Sequence, residues 1–168
     1  MGIEDKRAAE IPLENARYEY DNAEKWFEGL EEKASGHMSN VSIALAFTLA
    51  AIGYLGKGDF RLAAPFAPPL VCFLATAIKA VAARRLLFSA LPPRTADLHA
   101  YVMHPDGTEA GALVLLAQGT SAAANAALAA CEQKADNIRS AERWTAVGLI
   151  LLIAAVGTDV GLSLVSAR

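Results

Sequence analysis

The sequence has little of the charge and aromatic content that soluble enzymes carry. Of its 168 residues, 20% are charged and 7% are aromatic, whereas 54% are hydrophobic. An average globular chain has about 25% charged residues. The net charge of −3 gives no electrostatic reason to expect DNA or RNA as a partner. This composition excludes an ordinary water-soluble enzyme, a disordered chain and a nucleic-acid binder with a basic face.

Cysteines and catalytic motifs are equally scarce. The two cysteines, Cys72 and Cys131, have no metal-ligand spacing, and we interpret them as small buried apolar residues rather than as a disulfide. The sequence contains no Walker loop, no G-x-S-x-G and no H-E-x-x-H. We therefore predict no cofactor, no metal site and no enzymatic activity.

One short pattern points towards RNA chemistry. Arg94 and His99 match R-x4-H, which resembles the motif with which HEPN ribonucleases act on the RNA backbone. With nine arginines and three histidines in the chain, such a match often arises by chance. Arg94 also follows two prolines rather than lying on a helix, so we rank the nuclease well below a membrane function.

Three apolar stretches dominate the remaining sequence. They cover residues 40–56, residues 62–78 with a continuation to two arginines, and residues 144–165. About 20 helical residues cross the apolar layer of a bilayer. Trp144 marks the entry of the third stretch, as aromatic residues do at membrane interfaces. The sequence therefore predicts an all-α membrane protein with three transmembrane helices and cytoplasmic helical extensions.

The prolines at the start of the second stretch decide where its helix begins. Proline is tolerated in the first turn of a helix and breaks a helix interior. The regular helix is therefore predicted from near Pro68 to about Leu91. Lys79 then lies ~16 Å along the helix, near mid-membrane, whereas a start at Leu62 places it ~25 Å along, where it snorkels to the inner interface.

Polar residues within the spans are candidates for a water path. An ionisable side chain at membrane depth is expensive and is a functional-site hypothesis by default. The same side chains can instead join helices by hydrogen bonds. The candidate pore or intramembrane polar residues are Lys79, Asp159, Thr76, Ser42 and Thr48.

The distribution of lysine and arginine predicts the orientation. With a cytoplasmic N-terminus, eleven of these residues lie inside and three outside, and Lys79 lies within the membrane. The predicted segments are a cytoplasmic acidic helix over 1–38, a two-span hairpin over 39–91, a cytoplasmic loop and helix over 92–143, and a third span over 144–168 with a short exterior tail.

Both cytoplasmic segments carry apolar residues at alternating spacings of four and three. Such a repeat favours packing in a coiled coil or bundle. The first helix is predicted to begin near Pro12. The second is predicted to run from about Asp106 into the third span, with a bend at Gly119. Lys134 is predicted to lie on the solvated face of this second helix. The predicted oligomer stripe comprises Ala16, Tyr20, Ala23, Phe27, Leu30, Leu128, Cys131, Ala135 and Ile138.

The stretch over 110–131 carries no charge, yet its bulk is alanine, which is nearly neutral for membrane insertion. We interpret it as non-spanning, with a fourth span or an interfacial helix as the alternative. No helix breaker lies at the junctions 34–42 and 138–146. Each cytoplasmic helix is therefore predicted to continue into an outgoing span and to transmit movement to it.

The N-terminal half resembles a known family. Arg17, Tyr18, Asn22, Ala23 and Trp26 on an amphipathic helix, followed by a span, a short charged turn and a second span that ends in two arginines, resemble the SLATT domain. The resemblance covers roughly residues 14–95, and the third span is additional to it. It implies a pore-forming membrane effector of a bacterial conflict system, without catalytic residues, that responds to an upstream signalling or sensor protein.

These observations leave two functions open. The first is a homo-oligomeric effector or channel of antiviral defence in the bacterial inner membrane, gated through its cytoplasmic helices. The second is an accessory or scaffold membrane protein that binds a partner through its acidic N-terminal helix. In either case the lipid bilayer is the expected partner and nucleic acid is not.

Overall fold

The computed structural model describes residues 3–55, 63–86 and 109–166, with side chains described over 10–55, 63–86 and 109–158. These ranges contain three α-helices and one 3-10 turn, and no strand. We number the helices α1 to α3. The predicted all-α class is confirmed for the described part of the chain. Its elements are α1 (Ile3–Leu55), the 3-10 turn Ala64–Phe66, α2 (Ala67–Arg85) and α3 (Glu109–Ser166).

Helix α1 begins earlier than predicted. Its 53 residues include Pro12 as an interior residue, so the predicted start near Pro12 was wrong. Proline there cannot donate a hydrogen bond to the preceding turn, at a cost of about 3 kcal/mol. The segment before it is rich in Ala, Glu, Lys and Arg, which favour helix. Propensity on the N-terminal side therefore carries the helix across the proline.

Helix α2 begins where the prolines predict. The 3-10 turn holds Pro65, and the α-helix follows from Ala67. The helix ends at Arg85, and Leu86 is not helical. The rest of the predicted extension to Leu91 lies outside the described residues. Lys79 is therefore ~18 Å from the first residue of the helix, close to the first of the two predicted positions.

Helix α3 is continuous over 58 residues. It passes through Gly119, where a bend was predicted, with no interruption of the helix, and it reaches the third apolar stretch without a break. Helix α1 likewise continues through 34–42, so both predicted junctions are helical. The segment over 92–107, including Arg94 and His99, lies outside the described residues.

The chain divides into two compact units. The polar unit comprises Met1–Leu30 and Leu86–Gln133, and the apolar unit comprises Glu31–Arg85 and Lys134–Arg168. Within the polar unit, α1 and α3 pack through small side chains, and the Cys131 thiol donates to the carbonyl oxygen of Ala23 at 3.4 Å. Small residues let the two backbones approach closely. Its buried side chains are Leu13, Ala16, Ala23, Phe27, Leu30, Ala112, Ala117, Thr120, Ala123, Ala124, Ala127 and Cys131.

Within the apolar unit, α1 and α3 run parallel and α2 runs antiparallel to α3. The parallel pair is joined by Glu31 to Lys134 and by His37 to Glu142. The antiparallel pair is joined by Thr76 to the carbonyl of Ala141. A chain with three membrane spans needs this arrangement, because its first and third spans run in one direction and its second span runs in the other.

Candidate functional site

The apolar unit exposes many large hydrophobic side chains, whereas many of its buried side chains are small or carry a hydroxyl group. Thr48 and Thr76 have no exposed surface, and Ala80, Ala83, Ala141 and Ala155 are buried with them. Phe47, in contrast, is 70% exposed. This is the reverse of a water-soluble domain. The exposed hydrophobic residues are Ile43, Phe47, Leu49, Tyr54, Val71, Leu74, Ile78, Trp144, Val147, Leu149, Ile150, Ile153 and Val156.

The lengths of the helices agree with this surface. In the described ranges, three helices are long and apolar enough to cross a membrane: Glu10–Leu55, Ala64–Arg85 and Glu109–Thr158. Each of them contains most of one of the three apolar stretches of the sequence. The structure thus describes one candidate span for each predicted span.

Thr76 lies at the centre of the contact between α2 and α3. Its hydroxyl is directed at the carbonyl oxygens of Cys72, at 3.0 Å, and of Ala141 on α3, at 3.4 Å. The hydroxyl of Thr145 lies 3.3 Å from Thr76 Oγ1 and donates to Ala141 at 2.9 Å. Thr76 therefore joins two helices, and it does so with Thr145, which the sequence analysis did not select.

None of these hydrogen bonds connects Thr76 to the other predicted polar residues. Thr48 is buried and donates to the carbonyl of Ala44, and Ser42 is exposed and donates to that of Met38. Lys79 is half-buried on α2. The side chain of Asp159 lies outside the described residues. Within one chain, the hydroxyls satisfy helix carbonyls rather than line one shared cavity.

Gly148 lies in a close contact between α2 and α3. A Cβ atom built on it would lie 2.8 Å from Phe73 Cε1, 3.0 Å from Phe73 Cδ1 and 3.1 Å from Cys72 Cβ. Phe73 has no exposed surface, so a side chain at position 148 would have to displace a buried ring. Only glycine fits here. This contact was not predicted from the sequence, although a glycine within an apolar stretch is a known signal of close helix packing.

Lys134 is fully buried, which the sequence analysis did not foresee. The prediction placed it on the solvated face of the second cytoplasmic helix, and that was wrong. Its ammonium group lies 3.4 Å from Glu31 Oε2, and the Glu31 side chain is half exposed. Between residues 127 and 141, the buried side chains of α3 are Ala127, Cys131, Lys134, Ile138 and Ala141. Leu128 and Ala135, predicted for the oligomer stripe, are only half-buried.

A second ion pair lies two turns further along the same two helices. His37 Nε2 is 3.4 Å from Glu142 Oε1, and both side chains are partly exposed. The pair carries charge on both sides only when His37 is protonated. Glu31 with Lys134 and His37 with Glu142 therefore hold α1 to α3 on the side of the apolar unit where the helices are still charged.

The predicted stripe of α1 packs inside its own chain. Ala16, Ala23, Phe27 and Leu30 are buried within the polar unit, and Tyr20 is half-buried. On α3, Cys131 and Ile138 are buried as well. Most of the surface that these residues offer is therefore covered by helices of the same chain, and only Tyr20, Leu128 and Ala135 remain partly exposed.

Partial burial and two acidic neighbours change the pKa of the Tyr20 phenol. Desolvation, and then the charges of Glu24 and Asp21, raise the pKa of its phenol above the ordinary value of 10.0. The folded chain therefore holds the phenol proton to a higher pH than the unfolded chain does. Stability from this term is fully present below pH 10.0 and is lost as the pH rises through the folded pKa.

We therefore expect the Tyr20→Phe variant to lose less stability than the parent chain when the pH is raised through the phenol titration. Free energies of unfolding, measured by denaturant titration at a series of alkaline pH values, give the two slopes. Tyr18→Phe is the matched control, since it removes a hydroxyl from an exposed side chain two residues away. Equal alkaline slopes for the parent and Tyr20→Phe would contradict the assignment.

The polar unit also holds an open groove of about 550 Å³ between α1 and α3. Its lining offers amide, hydroxyl and carboxylate groups, which form hydrogen bonds. Within the described ranges, no group of three His, Cys, Asp or Glu side chains is placed to hold a metal ion. The polar residues of the groove are Asn15, Glu19, Gln118, Ser121 and Asn125.

No family model, no curated protein and no solved structure matches this chain. The inference of function therefore rests on the geometry of the two units and on the sequence pattern. The similarity to the SLATT domain stays a prediction.

Proposed function

We propose that this chain is an oligomeric membrane effector, or pore-forming protein, of a bacterial antiviral or conflict system, gated through its cytoplasmic helices. The observation that carries the proposal is the exposed apolar surface of the apolar unit on helices that continue into charged segments. The resemblance to the SLATT domain supports the same function. No catalytic step is part of it.

The exposed surface supports insertion into a bilayer. Leaving a large hydrophobic side chain in water rather than burying it costs about 1.5–3 kcal/mol, and the apolar unit exposes many of them on all three helices. Lipid acyl chains remove that cost. Helices in lipid associate through small residues and hydroxyl bonds, which are what Gly148, Thr76 and Thr145 provide.

The charge distribution supports a cytoplasmic N-terminus and an exterior C-terminus. Arg84 and Arg85 end α2, and Arg139 and Arg143 precede the third apolar stretch. All four then lie on the inner side, where positive residues next to spans are enriched. In the proposed orientation the charged half of α1 lies in the cytoplasm, where an upstream sensor protein can reach it.

Gating would act through the two long helices. Helix α1 is continuous over 53 residues and α3 over 58, and each joins a charged part to an apolar part. A shift of α1 along α3 has to break the pairs Glu31 with Lys134 and His37 with Glu142. These pairs therefore supply two discrete arrangements, made or broken, which a switch requires.

Assembly needs a surface that the chain has not already covered. On α1, outside the apolar stretch, Ile11, Tyr18 and Trp26 are 60%, 70% and 43% exposed. At 100° per residue they fall within one arc of the helix, away from the buried stripe. We therefore assign homo-oligomer contacts to these three residues rather than to the stripe predicted from the sequence.

The experiment compares the full-length chain with the double variant Tyr18→Glu, Trp26→Glu. We expect the parent to form a detergent-solubilised particle of several chains and to conduct ions when reconstituted into vesicles. The double variant should be monomeric and should lose conductance, because carboxylates would repel across the contact. Light-scattering mass and an ion-flux assay measure both.

The matched control is Ala129→Glu, Gln133→Glu, which adds two carboxylates at exposed positions of α3. It should retain both the mass and the flux. A parent chain that is monomeric in detergent, or that conducts no ions at any density in the vesicle, would contradict the proposal.

The exposed acidic face of α1 favours a second function. Its carboxylates point to solvent, so they are accessible to a basic partner, as an accessory or scaffold protein requires. In that case, replacing Glu24 and Glu28 by glutamine should release a partner encoded beside this gene, and the parent should show no ion flux. The exposed acidic residues are Glu10, Glu14, Glu19, Asp21, Glu24, Glu28, Glu31 and Glu32.

A further inference from the structure

The last turns of α2 carry a groove that ends in a positive charge. Its volume is about 350 Å³, and its described lining consists of Ala77, Ile78, Val81, Ala82 and Arg85. These residues are three or four positions apart, so they share one face of the helix. Ile78 is 68% exposed. The groove is thus apolar along its length, with a guanidinium group at one end.

A second arginine stands beside the first. Arg84 and Arg85 form the last turn of α2 and are both exposed. Among the described residues neither forms an ion pair. Each guanidinium presents five N–H donors in a planar fork, which matches the oxygens of a phosphate. The end of the groove is therefore a site for an anion that also brings an apolar chain.

We propose that this groove binds a phospholipid with an anionic headgroup, its acyl chain along Ala77, Ile78, Val81 and Ala82 and its phosphate at Arg84 and Arg85. The proposal rests on membrane insertion as set out under the proposed function. Charge complementarity selects the anionic headgroup, because basic pockets on the cytoplasmic side of membrane helices bind such lipids.

The length of the groove fits one leaflet of the bilayer. From Ala77 to Arg85 the helix rises ~12 Å, which is close to the ~15 Å thickness of one leaflet of the apolar layer. The groove continues the lipid-facing side of α2, on which Val71, Leu74 and Ile78 are exposed. A phospholipid covers both the apolar side chains and the arginines, with its charge at the depth where the helix ends.

The test measures lipid retained by the purified full-length chain. The chain is exchanged in detergent into an equimolar mixture of phosphatidylglycerol and phosphatidylcholine, and bound lipids are counted by native mass spectrometry. We expect preferential retention of phosphatidylglycerol. Each juxtamembrane arginine contributes about fivefold, so Arg84→Gln, Arg85→Gln should lower the retained phosphatidylglycerol about 25-fold.

Two further variants separate the two ends of the groove from overall charge. Ala82→Phe retains both arginines and fills the apolar part, and it should lower retention as well. Arg17→Gln, Lys25→Gln removes the same charge from exposed positions of α1 outside its apolar stretch and should leave retention unchanged. Glycerol phosphate, which lacks acyl chains, should not compete.

Several results would overturn the lipid site alone. They are equal retention of the two lipids by the parent, unchanged retention in Arg84→Gln, Arg85→Gln, effective competition by glycerol phosphate, or a change of particle mass in that variant, which would make the groove a subunit contact. A parent chain that does not float with vesicles would instead overturn membrane insertion itself, so the two failures are distinguishable.

Discussion

The Gly148→Leu variant is expected to lose most of the packing between α2 and α3. The first added carbon alone would lie 2.8 Å from the ring of Phe73, and three further carbons follow it. Extra carbons in a well-packed interior cost about 1–3 kcal/mol and sometimes more, and the buried Phe73 cannot rotate away. We expect a loss of at least about 3 kcal/mol in the free energy of unfolding measured in detergent.

The rate of thiol alkylation measures the loss of packing directly at this contact. Cys72 and Cys131 are both buried thiols that form no disulfide, and Cys72 lies against Gly148. In Gly148→Leu, the maleimide reaction of Cys72 should accelerate well beyond that of Cys131, which lies in the polar unit. Peptide mapping by mass spectrometry separates the two thiols.

The control is Gly157→Ala on the same helix. No atom lies within 4 Å of a Cβ built there, and alanine is a better helix former than glycine by about 1 kcal/mol. This variant should be as stable as the parent or slightly more stable. If Gly148→Leu were as stable as Gly157→Ala, the close packing of α2 on α3 would be wrong.

The Lys134→Glu variant is expected to be destabilised by about 4 kcal/mol. It places a carboxylate at a position with no exposed surface, where the parent ammonium lies 3.4 Å from Glu31. A buried charge left without compensation costs about 3–5 kcal/mol, and the repulsion from Glu31 adds to it. Thermal and denaturant unfolding of the detergent-solubilised chain measure the change.

Three companion variants determine the cause. Lys134→Met should be close to neutral, because an apolar side chain of similar volume can replace a buried ion. Adding Glu31→Lys to Lys134→Glu should recover part of the loss. Arg139→Glu should cost less than about 1 kcal/mol, since the exposed pair of Arg139 with Asp136 contributes little. Equal losses in Lys134→Glu and Arg139→Glu would rule out the burial of Lys134.

If the pair of Lys134 with Glu31 is part of the switch, Lys134→Met should separate stability from gating. An apolar residue keeps the packing and removes the ionic contact that a sliding α1 has to break. We therefore expect Lys134→Met to keep the parent stability while it changes the fraction of time that the reconstituted chain conducts. Its ion flux is compared with that of the parent at equal protein density.

The sequence was enough to predict which segments are helical and apolar. Apolar length alone defines a span, because a bilayer demands about 20 helical residues regardless of their neighbours. The start of α2 followed from proline chemistry, which is local. The start of α1 did not, because the cost of one lost hydrogen bond at Pro12 competes with the propensity of many residues.

The composition and spacing of residues by themselves determined the helical class, the three candidate spans and the uninterrupted junctions of α1 and α3, since these depend on hydropathy and backbone preference within one segment. Only the tertiary structure determines that Lys134 is buried, that the Thr76 hydroxyl donates to the carbonyl of Ala141 and that the ring of Phe73 packs against Gly148. A helix has several faces with similar periodicity, and which of them is covered depends on the neighbouring helix, whose position no spacing within one segment encodes.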